Sequence, residues 1–248
     1  MTTIDTLTLA TELTNPDRNA RAAAAMELGT RRDLSAAEAV VAQLAVEEDA
    51  FVRENLTWAS VQLIEASLPL VIALLSSSDA GARRQAAHVL SKVGDPSLVP
   101  HLLGVIADAD PEVAVKAYRA AASTGHPDVV APLVARLAEG DGEQRDALTN
   151  ALSRLGALAV PALTAALDDP DADVRAHAAE ALGHLGAPDA LPAASALAVL
   201  VSDSDAEVAL AAVMALGSLG EEGQAPLQVV VASDGPLSGV AKRLLAGR

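Results

Sequence analysis

The chain has 248 residues, 51% of them hydrophobic, yet it holds a single Phe, a single Trp and a single Tyr. Its core must be filled by Ala, Leu and Val, whose modest bulk lets helices approach closely; a sandwich or barrel would draw on β-branched and aromatic residues. A formal charge of −16, from 17 Lys and Arg against 33 Asp and Glu, opposes binding to phosphate backbones, and the absence of cysteine removes disulfides, thiolate metal sites and cysteine nucleophiles.

The opening MTTIDTLTLATEL lacks a basic start followed by an apolar run, so no secretion signal is expected there. The apolar run LPLVIALL (68–75) is too short to span a bilayer. A soluble, cytoplasmic protein is expected, with no cofactor.

An Asp recurs at Asp17, Asp49, Asp79, Asp110, Asp141, Asp171, Asp205 and Asp234, at spacings of 32, 30, 31, 31, 30, 34 and 29 residues. Such a period marks a repeat architecture. The expected units lie near 1–33, 34–65, 66–96, 97–127, 128–157, 158–188, 189–220 and 221–248, and together form one domain over 1–248. Each unit reads as two helices. The first is apolar with Pro near its first turn, as in VVAPLVARL (129–137) and AVPALTAAL (159–167), where a missing N–H does no harm. The recurring Asp then precedes a longer helix, where its carboxylate can accept orphan N–H groups and meet the positive end of the dipole. DVRAHAAEALGHLG (173–186) is such a helix, and Gly186 at its end suits a left-handed cap. Four residues after the Asp stands Arg21, Arg53, Arg83, Arg145 or Arg175; units four, seven and eight carry Ala114, Ala209 and Ser238 there.

The register of L-x-x-x-D-x-D-V-R-x-x-A-A-x-A-L-G-x-L-G-x-P at 167–188 resembles HEAT-like repeats of the short kind found in phycobiliprotein lyases, and the resemblance covers nearly the whole chain. It implies an all-α, right-handed superhelical solenoid of about eight helix pairs, with first helices outside and second helices lining a concave face. It also implies structural ladders between units, here assigned to Asp49 and Arg53, Asp79 and Arg83, Asp141 and Arg145, and Asp171 and Arg175. The last unit, ending VAKRLLAGR, suits a terminal cap, with cations near a helix C-terminus.

Helical geometry sorts the second helices at 100° per residue, counting from the Arg position as zero. In the sixth unit Val174, Ala178, Ala181, Leu182 and Leu185 share one arc, the expected core face. The opposite arc holds positions +1, +5 and +8, flanked by +2 and +9. It places Glu54, Asn55, Trp58, Arg84, Gln85, His88, Lys92, Lys116, Arg119, Asn150 and Arg154 toward the groove. Five of the 17 cations (Arg84, Lys92, Lys116, Arg119 and Arg154) fall on this stripe, so a locally basic groove inside an acidic shell is expected beside Trp58. Phe51 reads as a packing residue against the neighbouring first helix.

Catalytic chemistry is not legible. His177, Glu180 and His184 share a helix face at a spacing that metal ligands use. HAAEALG resembles the HEAAEALG of di-iron hydroxylases with HEAT repeats, but their ligands are repeated His-Glu dipeptides and this chain has none. No metal site is therefore expected. The residues point to a non-enzymatic, monomeric scaffold that binds a peptide or protein segment of acidic character, with Trp58 as anchor. The alternatives are a HEAT-like nucleic-acid-binding or DNA-repair protein, which Trp58, Arg84, Lys116, Arg119, Arg154 and Asp146 loosely fit, and a HEAT-repeat hydroxylase or lyase-like enzyme.

Overall fold

A computed structural model describes residues 5–247 and contains sixteen α-helices and no strand among them. In chain order these are α1 (Thr6–Glu12), α2 (Arg18–Arg31), α3 (Ala37–Val46), α4 (Ala50–Gln62), α5 (Ile64–Leu74), α6 (Ala80–Val93), α7 (Val99–Ile106), α8 (Pro111–Ser123), α9 (Val130–Val134), α10 (Gly142–Leu155), α11 (Val160–Ala166), α12 (Ala172–Leu185), α13 (Ala194–Leu200), α14 (Ala206–Ser218), α15 (Gln224–Ala232) and α16 (Ser238–Ala246). The even-numbered helices are the second helices of the repeats. The expected all-α solenoid of helix pairs is the observed fold class.

The recurring Asp starts each second helix by one local mechanism. Asp49 accepts from the Phe51 and Val52 amides, Asp79 from Ala82, Asp141 from Gln144 and Asp171 from Asp173. Each satisfies an amide that the helix cannot, a contribution of about 1 kcal/mol. Asp234 departs from the series. It sits at φ 51°, and α16 begins four residues later behind Leu237 with no side-chain cap. The helices end less uniformly. Gly94 closes α6 in the left-handed region, whereas Gly186 closes α12 at φ 62° and ψ −167°, so the left-handed helical cap expected there is an extended variant that still needs glycine.

The chain packs as two compact units, one up to Thr124 and one from Gly125. The division falls after α8, near the expected boundary of the fourth and fifth repeats. In the first unit α2, α4, α6 and α8 stack side by side, with α3, α5 and α7 packed behind them. Val52, Leu56 and Ala59 of α4, with Leu63 at its C-cap, present one fully buried arc. Burying a Leu or Val this way contributes about 1.5–3 kcal/mol. In the second unit α10, α12, α14 and α16 stack likewise. Of the five core positions expected on α12, Ala178, Ala181 and Leu182 are buried, while Val174 and Leu185 are half-buried.

Candidate functional site

Arginine–carboxylate rungs tie the second helices α2, α6 and α12 to the repeats that follow them. Arg21 donates through Nε and Nη2 to both oxygens of Glu47, at 2.8 Å each. Arg83 grips Asp108 in the same way at 2.7 and 2.9 Å, and Arg175 grips Asp203 at 2.9 and 3.0 Å. The third guanidinium nitrogen, Nη1, clamps two carbonyls of the loop just before its own helix: Asn15 and Pro16, Ser77 and Ser78, Asp169 and Pro170. Planar forks of this kind suit carboxylates.

The acceptor is thus not the recurring Asp but the acid two residues before it in the next repeat. This corrects the expected pairing of Asp49, Asp79, Asp141 and Asp171 with arginines as ladder partners: those carboxylates cap helices. Each rung acid is also held by the amide of the capping Asp, with Asp49, Asp110 and Asp205 donating to Glu47, Asp108 and Asp203 at 3.0, 2.9 and 2.8 Å. Burial pushes the Glu47 carboxyl up, but Arg21, Gln43 and the Asp49 amide outweigh it and hold it at about 2. Arg83 and Arg175 likewise lower Asp108 and Asp203.

Two arginines leave the pattern. Arg53 clamps the carbonyls of Glu47 and Glu48 through Nη1, but the position two before Asp79 is Ser77, which has no carboxylate. Arg145 reaches instead to Glu180, at 3.4 Å. The rung acids Glu47, Asp108 and Asp203 were missed in the sequence. The available signal was an acidic residue recurring two positions before the Asp.

On the open face of the first unit, Glu54, Trp58, Lys92 and Arg119 are exposed, and Asn55, Arg84 and Lys116 are half-buried. Gln85 and His88, expected on that face, are 6% and 7% exposed, which removes them from easy contact with a partner. His88 is covered from α4: its Nε2 lies 2.9 Å from a Glu54 carboxylate oxygen. Burial lowers the His88 pKa, opposed by Glu54 and assisted by Lys116 and Lys92, so the neutral ring donates its Nε2–H to Glu54. Its Nδ1 is buried without a partner. The expected basic stripe is only partly free. Arg84 is paired with Glu112, and Asn55 spends its amide on the Phe51 carbonyl. Among the described residues, no ion pair forms on Lys92, Lys116 or Arg119.

Trp58 is 39% exposed. Its indole lies over α2, where a Cβ at Gly29 would come within 2.5 Å of the ring. Glycine at 29 is therefore what lets the ring lie down. Phe51 does not pack inward as expected. It is exposed, and the Arg18 guanidinium stands 5.8 Å above its ring while also reaching Asp49 at 3.3 Å.

In the second unit Asn150 and Arg154 are exposed on α10. The face thought to carry His177, Glu180 and His184 together is corrected, because His177 is fully buried. Its Nδ1–H donates to the Leu137 carbonyl at 2.8 Å, and its Nε2 accepts from the Thr149 hydroxyl at 2.9 Å. Both ring nitrogens are spent on fastening α12 to its neighbours, which explains a His at this position without any ligand.

Among the described residues no helix is long and apolar enough to cross a membrane. A family model described as HEAT repeats matches residues 67–153, 100–171 and 160–239. A structure reporting Kap95p binding to RanGDP is similar at 13% identity over 96% of this chain and 39% of that chain, with a TM-score of 0.62. Kap121p is similar at 14% identity over 96% and 32%, with a TM-score of 0.60. The complex of CpcE and CpcF of phycocyanin lyase from Nostoc sp. PCC7120 is similar at 21% identity over 99% and 94%, with a TM-score of 0.46. No curated protein matches the chain.

Proposed function

Because the chain belongs to the HEAT repeat family, we propose that it is a non-enzymatic interaction module that binds a peptide or protein segment across the open face of α4, α6 and α8. The observation that carries this reading is Trp58. In a chain with one Trp, that residue lies exposed on the second-helix face, seated on a glycine. Trp and Arg are the residue types that most often dominate interface energy. Trp58 offers a large apolar surface at little entropic cost, Lys92 on α6 and Lys116 and Arg119 on α8 offer cations that form no ion pair among the described residues, and Glu54 offers a carboxylate on α4. A segment with an apolar side chain flanked by acidic residues fits that set.

The test is affinity capture of a mass-identified partner from native extract by wild type, Trp58→Ala and Arg119→Glu. Capture falls at least tenfold in Trp58→Ala and less in Arg119→Glu. Undiminished capture by both variants removes the reading. In a mobility-shift assay at low salt, the −16 charge leads to no retardation of DNA or RNA.

A further inference from the structure

The rung that is missing between α4 and α6 leaves a receptor for a carboxylate. In Arg21, Arg83 and Arg175, the Nη1 clamp on the preceding loop turns Nε and Nη2 outward as a fork, and an acid from the next repeat fills it. Arg53 keeps the same clamp, on the carbonyls of Glu47 and Glu48, so its fork is posed like the other three. Ser77 stands where the acid would be. Its hydroxyl takes over the acid's other duty, accepting the Asp79 amide at 3.1 Å, and is too short to reach across. Among the described residues Arg53 forms no ion pair, and no acceptor sits on its Nε or Nη2.

The fork opens into a cleft of about 600 Å³ whose lining includes Leu44, Leu74, Ser77, Asp79, Arg84 and Gln85. Three of the charges around it are committed within the chain. Glu47 is gripped by Arg21, Asp79 caps α6 and Arg84 pairs with Glu112. Glu48 also lines the cleft, with an exposed side chain that makes no ion pair.

We propose that Arg53 is a docking site for an Asp or Glu side chain of a partner segment, which completes in trans the rung that this chain completes in cis three times. Bidentate geometry favours a planar carboxylate over a spherical anion. The internal rungs use both side-chain lengths, Glu47 and Asp108 or Asp203, so either acid fits. The proposal rests on reading the chain as a partner-binding module but uses a different residue set. Loss of the Arg53 response would leave Trp58-dependent capture intact, and the reverse also holds.

The test follows the Arg53 Nε–Hε resonance of 15N-labelled protein, assigned by its absence in Arg53→Lys. The probes are a capped Ala-Asp-Ala tripeptide, its capped Ala-Asn-Ala counterpart, Ala-Ala with a free C-terminus, sodium phosphate and sodium chloride at matched ionic strength. The Asp peptide produces a saturable shift at least fivefold larger than the Asn peptide or chloride. Ser77→Asp, which supplies the acid found at two of the three rungs, Asp108 and Asp203, places the resonance near its saturated position and abolishes the response. It also raises the unfolding midpoint, which shows that the variant is folded. Equal responses to Asp and Asn peptides, or an undiminished response in Ser77→Asp, overturn the site. Tighter saturation by phosphate overturns the carboxylate assignment, and tighter saturation by the free C-terminus overturns the side-chain assignment.

Discussion

Glu47 shows how much one rung contributes. Its carboxylate accepts from Arg21, Gln43 and the Asp49 amide, and it is almost fully enclosed. Replacing it by Gln strands the Arg21 fork and costs on the order of 2–3 kcal/mol at pH 7, below the usual figure for a fully buried pair because Arg21 keeps its carbonyl contacts and some solvent. The sign with pH follows from a folded pKa of about 2 against an ordinary 4.5. The contribution is fully present above about 4.5 and is lost as pH falls toward about 2. Urea denaturation of wild type and Glu47→Gln at pH 7, 4 and 2.5 should therefore show a gap that narrows with acid. A constant gap would assign the loss to shape and not to charge. His177 works in the opposite chemical sense but the same direction. Burial, opposed by the Leu137 carbonyl and helped by Arg145, lowers its pKa, so the folded state holds the ring neutral while the unfolded chain takes up a proton. Stability is undiminished above the ordinary value of about 6.5 and falls as pH drops below it. The loss between pH 7.5 and 5.5 should be smaller in His177→Gln, whose amide can still meet Thr149 and Leu137 but does not titrate. An equal loss in both proteins would remove His177 from the acid response.

At the scale of helices, α2 and α4 meet where Gly29 faces Trp58. A Cβ at position 29 would stand 2.5 Å from the indole and 3.0 Å from the Ala59 Cα, so the ring must lift or the helices must part. Ala would gain about 1 kcal/mol of helix propensity there, but overpacking against backbone costs about 1–3 kcal/mol, so Gly29→Ala should be net destabilising by about 1 kcal/mol. Trp58 is the only tryptophan, so its fluorescence reports this displacement alone: the emission maximum should move to the red as the ring becomes wetter. An unshifted spectrum with unchanged stability would show that the helices absorb the methyl elsewhere. This contact was not legible in the sequence, because periodicity assigns a residue to a face but does not say what the adjacent helix presents to it. The same reason accounts for Gln85, His88 and His177. All three were assigned to the open arc by angle, and all three are buried, with Glu54 bonded to His88 and Thr149 to His177 from the preceding second helix. Gln85 and His177 stand at +2, the flank where one second helix meets the next, whereas His88 stands at +5 within the open arc and is covered by Glu54 from α4; only packing distinguishes these from the exposed face. The helix starts, by contrast, were legible, since an Asp cap acts on amides two or three residues away and needs no tertiary contact.

Across the whole molecule the repeat period was readable because every unit must bury one arc of each second helix, and that requirement writes the same apolar spacing again and again. The rungs were half readable. The Arg is in register with its own helix, but its acceptor belongs to the following repeat, so the pair becomes visible only once the two are stacked. Charge is the property that no single unit displays. The three bidentate rungs consume six charged side chains evenly, so the formal −16 resides in carboxylates outside them. Two effects of salt then compete. Screening weakens the rungs, which is destabilising, and weakens the mutual repulsion of the excess carboxylates, which is stabilising. The rungs are direct contacts at 2.7–3.0 Å with half-buried or buried partners, well inside the roughly 10 Å screening length at 0.1 M salt, and are affected little. The excess carboxylates repel one another through solvent, where screening acts strongly. The thermal midpoint should therefore rise on going from 10 mM to 150 mM sodium chloride, by on the order of 1 kcal/mol or roughly 2–4 °C, and choline chloride should act alike because the effect is one of ionic strength. A midpoint that falls would mean that the rungs, and not the acidic surface, control how this protein responds to salt.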